Sequence, residues 1–152
     1  MQDCVFCEIV KKEKPASVVS ENEHFIVFMN NMPLVEGHCL LVTKKHIATV
    51  FEIGKAERAA LGEEIYRLSK ILEKEYGPNI DIFNTSGKEA SQSVFHLHFH
   101  FIPRVAGDCL WDGDKSRICL DGTSGFERLQ TTKDELDRVA AELREVEKNL
   151  KI

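Results

Sequence analysis

With 152 residues the chain is sized for one domain that buries about two thirds of the surface its unfolded form exposes, and it is too short for a second independent core. Its formal net charge is -5 and its 20 lysines and arginines are scattered instead of gathered into a basic stripe, which excludes nucleic acid as the expected partner. No apolar run approaches the roughly 18 residues that span a bilayer, and the start, MQDCVFCEIV followed by KKEK, has no signal-peptide layout; no membrane partner and a cytoplasmic location are expected.

Cysteines at 4, 7, 39, 109 and 119 form an odd set without a secretory signal, so metal binding or burial is expected in place of a disulfide framework. Cys4 and Cys7 make a CxxC pair. Short apolar runs at 25–29, 39–42, 80–83 and 94–102, bounded by Asn30, Gly37, Gly77 and Gly87, predict strands of one sheet. Between the second and third, Leu61, Ile65, Leu68 and Leu72 recur at helical spacing until Gly77 and Pro78 stop the segment after Tyr76. Residues 108–125, rich in Gly, Asp and Ser, predict a long loop. Thr132 and Glu135 have the spacing of a capping box, and Leu136, Val139, Ala140, Leu143 and Val146 follow on one stripe, predicting a closing helix whose charged residues form a solvated face. The tail from Gly125 onward carries no functional signal. The fold class is α+β: an antiparallel sheet with a helix between strands and a C-terminal helix.

Three of the six histidines fall at 96, 98 and 100 in VFHLHFHFIPR, with Leu97, Phe99 and Phe101 interleaved and Pro103 ending the run. On a strand this period of two puts the apolar set toward a core and His96, His98 and His100 in a row on the other face, about 6 to 7 Å apart. Such a row suits phosphate chemistry, because neutral imidazole attacks or accepts a proton and imidazolium stabilises phosphate oxygens. Alternating histidines on a strand also ligate zinc, and spacing alone does not separate the two.

The run His96-Leu97-His98-Phe99-His100-Phe101-Ile102 resembles the His-φ-His-φ-His-φ-φ signature, φ apolar, of the histidine triad (HIT) superfamily. The resemblance extends through Gln92-Ser93-Val94-Phe95, Pro103-Arg104, Phe6-Cys7-Glu8-Ile9, Phe28-Met29-Asn30 and Gly37-His38-Cys39-Leu40-Leu41-Val42, over roughly the first two thirds of the chain. It implies a single HIT domain over 1–152, with a core at 1–105, a variable loop at 106–125 and a C-terminal segment at 126–152. It also implies a homodimer, in which the helix at 55–76 and the neighbouring edge strand join two sheets. The implied activity is that of a nucleotide hydrolase or nucleotidyl transferase acting on the α-phosphate of a purine nucleotide conjugate, either a nucleoside phosphoramidate or a dinucleoside polyphosphate. The Pro103-Arg104 ending leans toward the second.

By the same resemblance His98 is the nucleophile that forms a nucleotidyl-histidine intermediate, and His100 hydrogen-bonds a non-bridging oxygen. Gln92 and Ser93 hold phosphate oxygens, Asn30 the ribose hydroxyls, and Val5, Phe6, Ile9 and Phe28 surround the base. His38 resembles a family histidine near the triad. Two departures stand out. Ala90-Ser91-Gln92 replaces the usual Gly-Gln, and Thr85 stands where many relatives have Asn, leaving Asn84 one residue further back as the candidate phosphate contact. Relatives with the CxxC complete a zinc site with a Lys-x-His histidine and the first triad histidine, which implies structural zinc on Cys4, Cys7, His46 and His96. His98 and His100 are then left for chemistry, and no organic cofactor is expected. The rival from another class is a non-catalytic, zinc-stabilised nucleotide-binding module.

Overall fold

The computed structural model describes residues 4–112, 115–116 and 128–150. β2 (Phe25–Met29) and β3 (Cys39–Thr43) are buried along their whole length because the centre of the sheet is covered on both faces. Phe25, Val27, Met29, Cys39 and Leu41 pack on one side against Leu68, Ile71 and Leu72 of α2 (Lys55–Tyr76) and Leu136, Val139 and Leu143 of α3 (Lys133–Asn149). Ile26, Phe28, Leu40 and Val42 face the other way, toward Phe6 and Ile9 of a short helix, α1 (Val5–Val10). β1 (Val18–Glu21) pairs with β2, and β5 (His98–Pro103) and β4 (Ile80–Phe83) continue beyond β3. The result is an antiparallel five-stranded sheet in the order β1-β2-β3-β5-β4.

Local chemistry sets the boundaries. α2 is built mainly of strong helix formers and ends at Gly77, whose φ of +95° lets its N–H return to the Glu73 carbonyl. α3 begins with a complete capping box: Thr132 Oγ1 accepts from the Glu135 N–H, and the Glu135 carboxylate accepts from the Thr132 N–H. In the β2–β3 turn Gly37 adopts φ +81°, and a Cβ there would lie 2.5 Å from the Tyr76 ring and 2.9 Å from Pro103. Only glycine brings His38 to its place.

The expected strands at 25–29 and 80–83, the α2 register and the closing helix are all present. Three features differ from expectation. β1 and α1 are additional elements. The third concerns the histidine run: the ladder starts at His98 and not at residue 94. Leu97 instead donates to the Ile47 carbonyl at 2.6 Å and accepts from the Thr43 N–H, so the chain bends and His96 leaves the strand face. Within the expected loop, β6 (Trp111–Asp112) pairs with β7 (Lys115–Ser116); residues 113–114 and 117–125 of that loop, including Cys119, lie outside the described residues. Among the described residues no helix is long and apolar enough to cross a membrane.

Candidate active site

The β3–β5 register places His98 opposite Val42 and His100 opposite Leu40, so both imidazoles emerge on the α1 face while Phe101 enters the helix-covered core. Their ring centroids are 5.1 Å apart. Phe6 meets His98 edge-on at 5.1 Å, and Phe83 stacks on His100 at 4.7 Å. Each ring is held by an aromatic neighbour from a different element.

Hydrogen bonding fixes the protons. Nδ1 of His98 lies 2.6 Å from the His96 carbonyl, which can only accept, so Nδ1 carries the hydrogen and the lone pair sits on Nε2. The Leu34 N–H donates to Nδ1 of His38, so the neutral His38 ring is protonated at Nε2. That N–H donates to Nδ1 of His100 at 3.0 Å, which puts the His100 hydrogen on Nε2. Two neighbouring histidines therefore hold opposite tautomers, one with a free lone pair and one with a free donor. Burial lowers the pKa of His98. Burial is also the main cause of the shift at His100, pushed down to about 3 with help from His98 and Arg128, and it takes His38 well below its usual value. The three imidazoles rest uncharged, and His100 presents an N–H donor instead of a full positive charge.

These groups open into a cavity of about 320 Å³, within the usual size of small-molecule sites. Val5, Phe6, Ile9 and Phe28 form its apolar wall, with Asn30, Thr85, Ser91, Ser93, His98 and His100 around the remainder. Ser91 holds a left-handed backbone, φ +65°, that usually belongs to glycine.

On the far side of Phe6, four donors converge. Nδ1 of His96 is 3.4 Å from Cys4 Sγ and 3.6 Å from Cys7 Sγ, and Nδ1 of His46 is 3.3 Å from Cys7 Sγ. The four donor atoms of Cys4, Cys7, His46 and His96 lie within 4.8 Å of one another. A tetrahedral zinc with bonds of about 2.3 Å to sulfur and 2.0 to 2.1 Å to nitrogen needs S···N edges of roughly 3.5 Å, so the donors already stand near coordination spacing. Nε2–H of His96 donates to the Thr43 carbonyl at 2.6 Å, which leaves Nδ1 as the free ligand atom.

The HIT domain profile matches residues 11–107, which include the whole histidine run. The chain belongs to the HIT family. It is 35% identical over 118 residues to the adenylylsulfatase HINT3 of Arabidopsis thaliana, covering 76% of this chain and 59% of that protein. It is 32% identical over 140 residues to the adenosine 5′-monophosphoramidase HNT1 of Saccharomyces cerevisiae, covering 92% and 80%. A zinc-bound histidine triad family protein from Mycobacterium smegmatis superposes with a TM-score of 0.75 at 25% identity, covering 97% of this chain and 94% of that one. Membership of the family supports a nucleotide hydrolase activity at family level.

Within the HIT domain, several of the expected contact residues are engaged by other groups of the protein. Gln92 is buried and committed: its Oε1 accepts from the Gly87 N–H, and its Nε2 donates to the Ala48 and Val94 carbonyls. Asn84 donates to the His98 carbonyl at 2.7 Å and accepts from Ser86, which makes it a brace on the start of β5. Thr85 is the one that lines the cavity. Arg104 is buried and pairs through two nitrogens with Asp108 and through a third with Asp81, tying β5 to β4 and to the loop beyond it. It therefore has a structural role that says nothing about substrate. His38, a weak signal in the sequence, is the link between Leu34 and His100. The tail supplies Arg128, Lys133 and Leu136 to the cavity wall; the capping box announced the helix but not the surface it meets.

Proposed function

We propose that the chain is a nucleotide hydrolase or nucleotidyl transferase in which Nε2 of His98 attacks the α-phosphorus of a purine nucleotide conjugate. The observation that carries this reading is the pair of opposite tautomers: a lone pair on His98 beside a hydrogen-bond donor on His100, in one cavity. Attack forms a P–N bond to His98 and breaks the bond to the leaving group, which departs with the bonding electron pair; water then displaces His98 and releases the nucleoside monophosphate. Nε2–H of His100 donates to the non-bridging oxygen as its charge develops, and Ser93 gives a further polar contact. The base rests against Val5, Phe6, Ile9 and Phe28, and Asn30 meets the ribose. One relative is named for adenylyl sulfate and another for adenosine 5′-monophosphoramidate, which favours an adenylyl group carrying varied leaving groups.

The Cys4, Cys7, His46 and His96 donors fit zinc, and the zinc-bound relative supports that metal. With four protein donors no coordination position stays open, so the ion would cross-link the N-terminal helix to the sheet and take no part in the reaction. His96 is thereby assigned to the metal and serves catalysis only through its carbonyl on His98. A homodimer through α2 and the open edge of β4, where Tyr66 and Ile82 are exposed, completes the reading.

The test is turnover of an adenosine 5′-phosphoramidate and of a dinucleoside polyphosphate by the native protein and by His98→Ala. Loss of several orders of magnitude in the variant is expected. A native protein that binds AMP and cleaves neither compound is the non-catalytic module instead.

A further inference from the structure

The cavity runs against the charge of the chain. A protein of net charge -5 lines it with Lys14, Arg128 and Lys133, and with no aspartate or glutamate among the described residues. One-signed lining of a cleft concentrates ligands of the opposite sign. The neutral histidines account for one phosphate, and the cations add a positive lining beside them. Arg128 and Lys133 come from beyond the stretch that matches the family.

Their position is set by the backbone around them. Arg128 donates to the Met32 carbonyl and the Leu129 N–H to the Pro33 carbonyl, which seats the segment on the β2–β3 turn next to Asn30. Asn30 Oδ1 in turn accepts from the Met32 N–H. Lys133 is held by Asp137, which also accepts from Ser17, and the Ser17 carbonyl accepts from the Met29 N–H. Both cations thus border the part of the cavity that holds Asn30. A carboxylate on ribose hydroxyls excludes an anion there, whereas an uncharged side chain with an arginine beside it admits one; nucleotide sites choose between plain and phosphorylated ribose by this exchange. The guanidinium fork matches phosphate oxygens. Arg128 lines the same cavity as His38 and His100, so it also faces the α-phosphate end.

We infer that the ribose edge of the cavity is a second anion subsite, in which Arg128, assisted by Lys133, binds a phosphate monoester on the 2′- or 3′-hydroxyl of the substrate. The inference rests on the reading of Asn30 and His98 given above.

Calorimetric titration of the full chain with AMP, ADP, adenosine 2′,5′-bisphosphate and adenosine 3′,5′-bisphosphate tests it. One bisphosphate is expected to bind about tenfold or more tighter than AMP, with ADP gaining less than about threefold. In Arg128→Gln the ratio of AMP to bisphosphate Kd falls toward one. Lys133→Gln, at an exposed position that does not endanger folding, lowers it in part. An equal gain for ADP, equal binding of AMP and both bisphosphates, or a ratio that survives in both variants overturns the subsite. AMP binding without a ribose-phosphate gain removes this inference alone; failure to bind AMP at all removes the proposed function with it.

Discussion

Replacing His38 separates its two hydrogen bonds. In His38→Asn the amide oxygen takes the place of Nδ1 and still accepts from the Leu34 N–H, but nothing reaches His100. In His38→Gln the longer amide reaches the place of Nε2 and donates to His100, but the Leu34 N–H is orphaned. Leu34 is only 2% exposed, so water cannot replace the acceptor; leaving such a donor unpaired costs about 1–3 kcal/mol, or roughly 2–12 °C in Tm for a chain of this length. Loss of the donation to His100 releases its tautomer, and the ceiling on that effect is the loss of one oxyanion donor, about 1,000-fold in kcat. The asparagine variant is therefore expected to lose kcat with a small change in Tm, and the glutamine variant the reverse, measured by thermal melts and by turnover of an adenosine phosphoramidate. Native kcat in His38→Asn, or equal losses of kcat in both variants, refutes the relay.

Burial lowers the pKa of His98, and its neutral form is the nucleophile, so the acid limb of kcat/KM is expected below pH 6.5; a limb above that value contradicts the assignment. For His100 the unfolded chain takes up a proton near 6.5 and the folded one only at about 3, so stability present above pH 6.5 declines as pH falls through that window, as acid titration followed by circular dichroism would record. Arg104→Ala leaves Asp108 buried without its partner and is expected to cost about 3–5 kcal/mol, with KM and kcat at permissive temperature unchanged. Removing the metal with a chelator is expected to lower stability by roughly 3 kcal/mol or more; elemental analysis should give one zinc per chain in the native protein and a deficit in Cys4→Ser.

What could be read from the sequence was what local chemistry decides. α2 and α3 announce themselves by periodicity and caps, and the buried runs of β2 and β3 by their apolar content. α1 has six residues and little intrinsic stability, and is held by Phe6 and Ile9 against the sheet, which no local pattern reveals. The apolar content of residues 94–97 imitates the strand that follows, yet the bend at 94–96 turns His96 toward the cysteines. The cluster of Cys4, Cys7, His46 and His96 was legible because the CxxC pair and the resemblance to relatives with a Lys-x-His histidine and a first triad histidine name all four residues. The backbone partners of Gln92 and Asn84 were not legible, because a family pattern fixes their positions but not which backbone groups engage their amides. Arg128 and Lys133 reach the cavity only through tertiary packing of the last helix.

The proposed reaction turns on a covalent bond between His98 and the nucleotide. Acid- or denaturant-quenched turnover of an adenosine phosphoramidate, followed by mass spectrometry of the peptide carrying residues 96–100, measures it directly. An adenylyl group on His98, absent in His98→Ala, is the predicted result. Turnover with an unmodified His98 throughout the time course, or an adduct on another residue, contradicts it.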